Sequence, residues 1–144
     1  MGMVCEAVSG YICNVEIYTA EGKKLEKDTV LSLSDRNLSQ DYHIYQENFC
    51  NSVKLAQTLL DRKVRACSTM RPNRGIPCDL EQEGKCLKKG QSACWRNGDV
   101  SVHVWKDIRL VRMTRTIHYA IIVNKGRNDC KTNMEIKKPY TVAQ

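Results

Sequence analysis

The sequence predicts a mixed α/β domain, and three segments carry this prediction. Residues 42–49 form an apolar-rich run that contains one acidic residue near its end, Glu47. Residues 52–63 repeat their leucines at helical spacing, which indicates an amphipathic helix. Residues 99–105 instead alternate apolar and polar side chains, which is typical of a half-buried strand. A strand that leads into a helix, together with a strand of period two, indicates that the two kinds of element share one chain.

The N-terminal segment predicts a strand pair. Residues 4–8 and 11–18 are joined by Ser9-Gly10, a dipeptide typical of turns, and the second run alternates apolar and polar residues. Residues 21–24 predict a further turn.

Two helices are expected next. Asp28 or Thr29 is the expected cap of a short helix that extends to about Asn37. Its inward-facing residues are expected to be Val30, Leu31 and Leu33. The second helix, 52–63, begins after a strand at 42–49 and is expected to bury one stripe of apolar residues. That stripe consists of Leu55, Ala56, Leu59 and Leu60.

The C-terminal half predicts mainly strands. Residues 65–70 read as a strand, and residues 71–77 as a loop because two prolines and a glycine interrupt any regular element. After a polar stretch, Asn97-Gly98 is a strong hairpin signal, so residues 91–120 predict an antiparallel meander. The expected organisation is a partial core at 1–78, an inserted β-meander at 79–123 and a basic tail at 124–144.

Composition and charge limit the functional classes. With 42% apolar and 27% charged residues, the 144-residue chain lies outside the disordered class. No apolar run approaches the roughly 20 residues of a membrane span, so a membrane partner is not expected. Residues 1–64 carry 7 basic and 9 acidic side chains, whereas residues 65–144 carry 16 basic and 7 acidic ones. This basic half fits either contact with a polyanion such as DNA or a solvated basic face.

The eight cysteines do not form a standard metal motif. Zinc sites usually place two cysteines two to four residues apart, whereas the nearest pairs here, such as Cys78 and Cys86, are eight positions apart. The spacing favours incidental or structural thiols and leaves open an irregular metal site or disulfides. No metal site is predicted.

Four segments, taken in order, resemble the piggyBac-type transposases. Residues 5–11 resemble a strand pair of that family, and residues 47–52 resemble its second catalytic motif. Residues 66–77 resemble its Arg-x-Asn-Arg signature, and residues 104–118 resemble a pair of strands with a Trp-x-Asp start. Near the C-terminus, residues 138–142 resemble the approach to the third catalytic motif.

The resemblance implies an RNase H-like catalytic domain, here partial and interrupted by the β-meander. Members use three Asp residues and two Mg²⁺ ions to cleave and transfer DNA strands. One ion activates the attacking oxygen and the other stabilises the leaving oxygen. The resemblance also implies a nuclear location, with the cytoplasm as the alternative.

Departures from the family pattern predict an inactive fragment. By the resemblance, the first catalytic Asp would precede Met1 and the third would follow Gln144. Glu47 stands in place of the second, and its extra methylene moves the carboxylate by about 1.5 Å. A displacement of that size costs about a hundredfold in rate. Glu47 is therefore expected to be a relic position, and the ancestral Mg²⁺ site to be incomplete, so no cofactor is predicted.

Five arginines are candidates for contact with phosphates: Arg71, Arg74, Arg109, Arg112 and Arg115. The alternative interpretation is that these arginines form a solvated face without a binding role. Trp95 and Trp105 are favoured as packing residues of the meander rather than as base-stacking groups.

The combined prediction is a catalytically inactive, domesticated fragment of a transposase. Its partner would be DNA, bound weakly and without sequence specificity. Two alternatives remain open, a protein-interaction or structural fragment, and a nuclease completed by carboxylates from another chain.

Overall fold

The computed structural model describes residues 2–17, 26–37, 41–117, 122–128 and 135–139. The strands are β1 (Gly2–Cys5), β2 (Ile12–Glu16), β3 (His43–Gln46), β4 (Arg65–Thr69), β5 (Ser92–Asn97), β6 (Val100–Lys106), β7 (Leu110–Arg115), β8 (Ile122–Asn128) and β9 (Glu135–Pro139). The helices are α1 (Glu26–Leu33), α2 (Val53–Asp61) and α3 (Cys78–Cys86), and a 3-10 turn spans Asp35–Asn37. The turn predicted at 21–24 lies outside the described residues.

A five-stranded mixed sheet organises most of the described chain. Its strand order is β3-β4-β7-β6-β5, with β3 parallel to β4 and the other pairs antiparallel. This confirms the predicted α/β class and the antiparallel meander. Hydrogen bonding also continues from β7 to β4, where Ser68 faces Thr114, across the predicted domain boundary at residue 79. The domain division itself stays a prediction.

Helix α2 forms where the sequence predicts it. The Ser52 hydroxyl oxygen accepts a hydrogen bond from the backbone N–H of Leu55 at 3.1 Å, which caps the first turn. Leu55, Ala56 and Leu59 are buried, while Leu60 is only half-buried. The helix therefore covers β4 with the predicted stripe, shortened by one residue.

Two apolar clusters lie on the helical face of the sheet. The first joins α1, α2 and the start of β4 through Val30, Leu55, Leu59, Val64 and Ala66. The second joins α3 to the meander through Met70, Leu80, Ala93, Val102 and Val104. Trp95 packs against this second cluster, and Trp105 is buried, so the predicted packing role of the tryptophans is confirmed.

The opposite face of the sheet buries polar side chains. Along β6, Ser101, His103 and Trp105 alternate with the valines of the second cluster. Arg115 faces Cys67 on β4 and Ser101 on β6 across the ladder. This arrangement places a cationic side chain in the interior.

The N-terminal hairpin forms a sheet of its own. Strands β1 and β2 pair antiparallel, with Gly10 at a φ of 70° in the connection, as the Ser9-Gly10 signal predicts. The strands are shorter than predicted. The cap predicted for α1 is wrong, because the helix begins at Glu26 and Thr29 is buried inside it.

One helix and one strand pair were not predicted from the sequence. Helix α3 begins after Pro77, has acidic residues in its first turn and Lys85 in its last, and buries Leu80. These charges suit the helix dipole, but one buried leucine gives only a weak periodic signal. Strands β8 and β9 pair antiparallel in the segment predicted to be an irregular basic tail.

The seven cysteines whose side chains are described are all thiols rather than disulfides. Within the same part of the chain, no three His, Cys, Asp or Glu side chains gather closely enough to hold a metal ion. None of the described helices has the length and apolar character needed to cross a membrane.

Candidate nucleic-acid interface

Glu47 lies directly after β3, at the carboxyl end of the strand, and its side chain is exposed. Because β3 and β4 are parallel, the carboxyl end of β4 lies at the same edge of the sheet. Asp41 precedes β3 and Asp61 ends α2, so both lie toward the opposite edge. The structure thus separates Glu47 from the two carboxylates nearest to it in sequence.

The loop 71–77 rests on the turn that follows Glu47. The Arg74 guanidinium donates a hydrogen bond to the backbone carbonyl of Phe49 at 3.1 Å. The backbone carbonyl of Arg74 accepts from the N–H of Val53 at 3.2 Å. The Arg71 guanidinium carbon lies 5.1 Å from the centre of the Phe49 ring, a cation–π distance. These contacts fix both arginines beside Glu47.

The strand directions bring further basic residues to this edge. Strand β7 begins and β6 ends here, which places Arg109 in the connection between them and Lys106 at the end of β6. The N–H of Gly90 donates to the carbonyl of Lys106 at 2.7 Å, so the segment preceding β5 lies at the same edge. We define the basic edge as Arg71, Arg74, Lys88, Lys89, Lys106 and Arg109. Asp107 also lies there.

Most residues of the basic edge are accessible to solvent. Arg71, Lys88, Lys89 and Arg109 are exposed, and Arg74 and Lys106 are half-buried. Sequence reasoning missed the three lysines. A signal existed, because the hairpin at Asn97-Gly98 places residues 91 and 106 at the same end of the predicted meander.

Arg112, one of the five candidates for contact with phosphates, is paired with another side chain inside the protein. Its guanidinium donates to both carboxylate oxygens of Glu81, at 2.8 Å from Nε and 2.5 Å from Nη2. Both side chains are largely buried, with exposed fractions of 16% and 18%. These hydrogen bonds raise the pKa of Arg112 and lower the pKa of Glu81. The pair holds α3 against β7.

Arg115 is also placed differently from the predicted surface, because its side chain is only 1% exposed. It donates to the Ser101 hydroxyl oxygen at 3.3 Å and contacts both ring nitrogens of His103. Burial lowers the pKa of Arg115. The strand pattern held the signal for this burial, since Arg115 shares a face with Met113. Of the five candidates, Arg71, Arg74 and Arg109 therefore remain, and their contact with phosphates stays a prediction.

His103 and Cys94 form a hydrogen-bonded pair beside Arg115. The Cys94 Sγ lies 3.0 Å from His103 Nε2. Burial, followed by the charge of Arg115, lowers the pKa of His103 to about 4. Burial raises the pKa of the Cys94 thiol. Both groups are therefore uncharged at neutral pH, which fits a structural contact rather than a reactive thiolate–imidazolium pair.

Comparisons with known proteins give a family and a fold. A family model described as Transposase IS4, which represents the piggyBac-type transposases, matches residues 1–144. The cryo-electron microscopy structure of a piggyBac transposase synaptic complex with hairpin DNA superimposes with a TM-score of 0.76 at 23% sequence identity. The match covers 97% of this chain and 29% of the transposase chain, so the chain spans less than a third of that protein's length.

Proposed function

Because the chain belongs to the piggyBac-type transposase family, we propose that it is a DNA-contacting part of a transposase core that does not cleave DNA by itself. Binding would use the phosphates, through the basic edge. The observation that carries this proposal is the position of Arg71, Arg74 and Arg109 at the sheet edge that also presents Glu47. Loop cations at a strand edge reach phosphates without reading base sequence. A nuclear location is part of the proposal.

The absence of cleavage is proposed from the surroundings of Glu47. We take β3, α2 and β4 as part of an RNase H-like core, in which Glu47 would occupy the position of the second catalytic acid. A two-metal site needs several carboxylates around both ions. Asp41 and Asp61 do not supply them, because they lie toward the opposite edge. Glu47 alone would bind Mg²⁺ weakly, since a single carboxylate leaves most of the hydration shell in place.

DNA binding is tested by titrating the full chain onto duplex DNA across a salt series. We expect dissociation constants of about 10⁻⁶–10⁻⁴ M at physiological salt and a steep loss of affinity as salt rises. Arg71→Ala with Arg109→Ala is expected to weaken binding and to reduce the salt slope by about 0.9 for each phosphate that the variant no longer neutralises.

A matched control removes the same charge elsewhere. Arg62→Ala with Arg65→Ala deletes two exposed arginines at the opposite edge of the sheet. We expect this control to keep the wild-type salt slope. Equal reductions of affinity in the two double variants would mean that net charge, not the basic edge, determines binding.

Cleavage is tested with supercoiled plasmid and Mg²⁺ or Mn²⁺. We expect no nicking above background, in either wild type or Glu47→Gln. Metal-dependent nicking that disappears in Glu47→Gln would show that Glu47 belongs to a working site and would refute this part of the proposal.

A protein-interaction role is the second candidate, favoured by exposed apolar side chains. In the N-terminal hairpin Val8 is 95% exposed and Tyr11 71%, and Tyr45 on β3 is 60% exposed. Such residues mark interaction surfaces when they lie together. Absence of DNA binding at low salt, with the fold intact, would favour this function over the first.

A further inference from the structure

Three polar side chains, Gln46, Asn51 and Ser68, lie at the ends of β3 and β4 next to the turn that carries Glu47, and we call them the polar pocket. Gln46 and Ser68 are neighbours in the parallel ladder, so their side chains lie on the same face of the sheet. The Asn51 amide nitrogen donates to the backbone carbonyl of Thr69 at 3.0 Å and lies 3.5 Å from that of Ser68. Asn51 is 0% exposed and Ser68 4% exposed. The ladder and the Asn51 hydrogen bonds therefore place all three side chains beside the end of β4.

Four atoms of this pocket have no hydrogen-bond partner in the described part of the protein. They are the Gln46 Oε1 and Nε2, the Asn51 Oδ1 and the Ser68 Oγ. A buried polar atom without a partner destabilises the fold, because it has lost its hydrogen bonds to water. Each unsatisfied buried atom of a native structure needs an explanation, and one bound molecule can provide it for all four.

The chemistry of these atoms determines what can bind. The Asn51 and Gln46 oxygens only accept, the Gln46 amide nitrogen only donates, and the Ser68 hydroxyl does both. A cation would satisfy only the acceptors, and an anion only the donors. A small neutral molecule that both donates and accepts satisfies all of them, and a buried water with two to four polar partners does so. We propose that ordered water binds Gln46, Asn51 and Ser68 and fixes the turn 47–52.

The turn 47–52 is also the support of the arginine loop, residues 71–77. Arg74 donates to Phe49 within this turn, and Arg71 lies over the Phe49 ring. Asn51 ties the same turn to the end of β4 through Thr69. The bound water therefore positions Arg71 and Arg74, and Gln46 and Ser68 are positioning residues. Only the consequence for DNA rests on the proposed function. The water site and the loop order do not.

The sign of a stability change distinguishes a hydrated pocket from a dry one. In a dry pocket Ser68→Ala removes one unsatisfied atom and Gln46→Met removes two, so each would raise the urea midpoint. In a hydrated pocket each removes a partner of the water, so each lowers the midpoint. The double variant then falls by less than the sum of the two single decreases, because both side chains share one water. Ser32→Ala, at an exposed serine of α1, is the matched control.

Loop order is measured without DNA, by trypsin cleavage after Arg74 in the intact chain, since the Pro72 that follows Arg71 blocks cleavage there. We expect cleavage about fivefold faster in Ser68→Ala and Gln46→Met than in Ser32→Ala, the ratio that a decrease of about 1 kcal/mol in local stability gives. A raised urea midpoint, strictly additive decreases or an unchanged cleavage rate would each overturn the proposal. Failure of wild-type DNA binding would overturn the proposed function and leave this result standing.

Discussion

Acidification is expected to destabilise the protein through one buried imidazole, that of His103. In the folded protein this ring contacts Arg115 and the Cys94 thiol, and the residue is 6% exposed. Its pKa falls from 6.5 to about 4 on folding. As the pH drops below 6.5, the unfolded chain therefore binds a proton that the folded protein excludes.

The sign and the size of the change in stability follow from this difference in pKa between the folded and the unfolded protein. Stability from His103 is fully present above pH 6.5, is lost as the pH falls toward 4, and changes no further below that value. The difference between a pKa of 6.5 and one of about 4, at about 1.4 kcal/mol for each pH unit, corresponds to a loss of about 3 kcal/mol. Small domains have about 5–15 kcal/mol in total, so this loss is large. Glu81, whose pKa is lowered on folding, loses its contribution to stability only below pH 4.5.

The assay is urea unfolding in steps from about pH 7.5 to about pH 4, followed by the fluorescence of the two tryptophans, Trp95 and Trp105. His103→Gln should flatten most of the pH dependence, whereas His43→Gln, at an exposed position on β3, should retain it. A proton NMR titration measures the ring directly. A His103 midpoint near 6.5, or the same pH dependence in wild type and His103→Gln, would refute this reasoning.

Three further predictions, with four substitutions, test the interior. Arg115→Met should raise the urea midpoint, because it removes a buried guanidinium that has no carboxylate partner in the described part of the chain. Glu81→Gln should lower the free energy of unfolding by about 1–3 kcal/mol, since it weakens a largely buried pair with Arg112. In a protein that already carries Arg112→Gln, the same substitution of Glu81 should have little further effect, as a double-mutant cycle would show. Leu59→Ala, at a fully buried position, should cost about 2–5 kcal/mol in chemical denaturation.

Short sequence patterns predicted the helix and the hairpin that are determined by contacts between residues close in sequence. Ser52 and the leucine stripe indicated α2 because a cap and an apolar face are encoded within about ten residues. Asn97-Gly98 indicated the β5–β6 hairpin, because Gly98 adopts a φ of 59° that the turn requires. The position of Glu47 at a strand end was predictable because the strand before it and the helix after it were both recognisable.

Long-range contacts could not be predicted in the same way. Nothing near residue 68 indicates that β4 pairs with β7, so the meander looked like a separate unit. Arg112 looked like a surface cation because its partner, Glu81, lies 31 residues away on a helix with weak periodicity. The lysines of the basic edge were missed for the same reason, since only the sheet order brings them beside the arginine loop.

The pairing of β4 with β7 also sets an order of folding. Asn97 pairs with Val100 only three positions away, whereas Ser68 and Thr114 are 46 positions apart. Closing the longer loop costs more entropy before any contact repays it, so the meander can form first and β4 joins it later. The arginine loop, which follows β4 directly in sequence, is positioned only when β4 pairs with β7. A chain arrested between these steps would present Lys106 and Arg109 without Arg71 and Arg74, so the basic edge exists only in the fully folded protein.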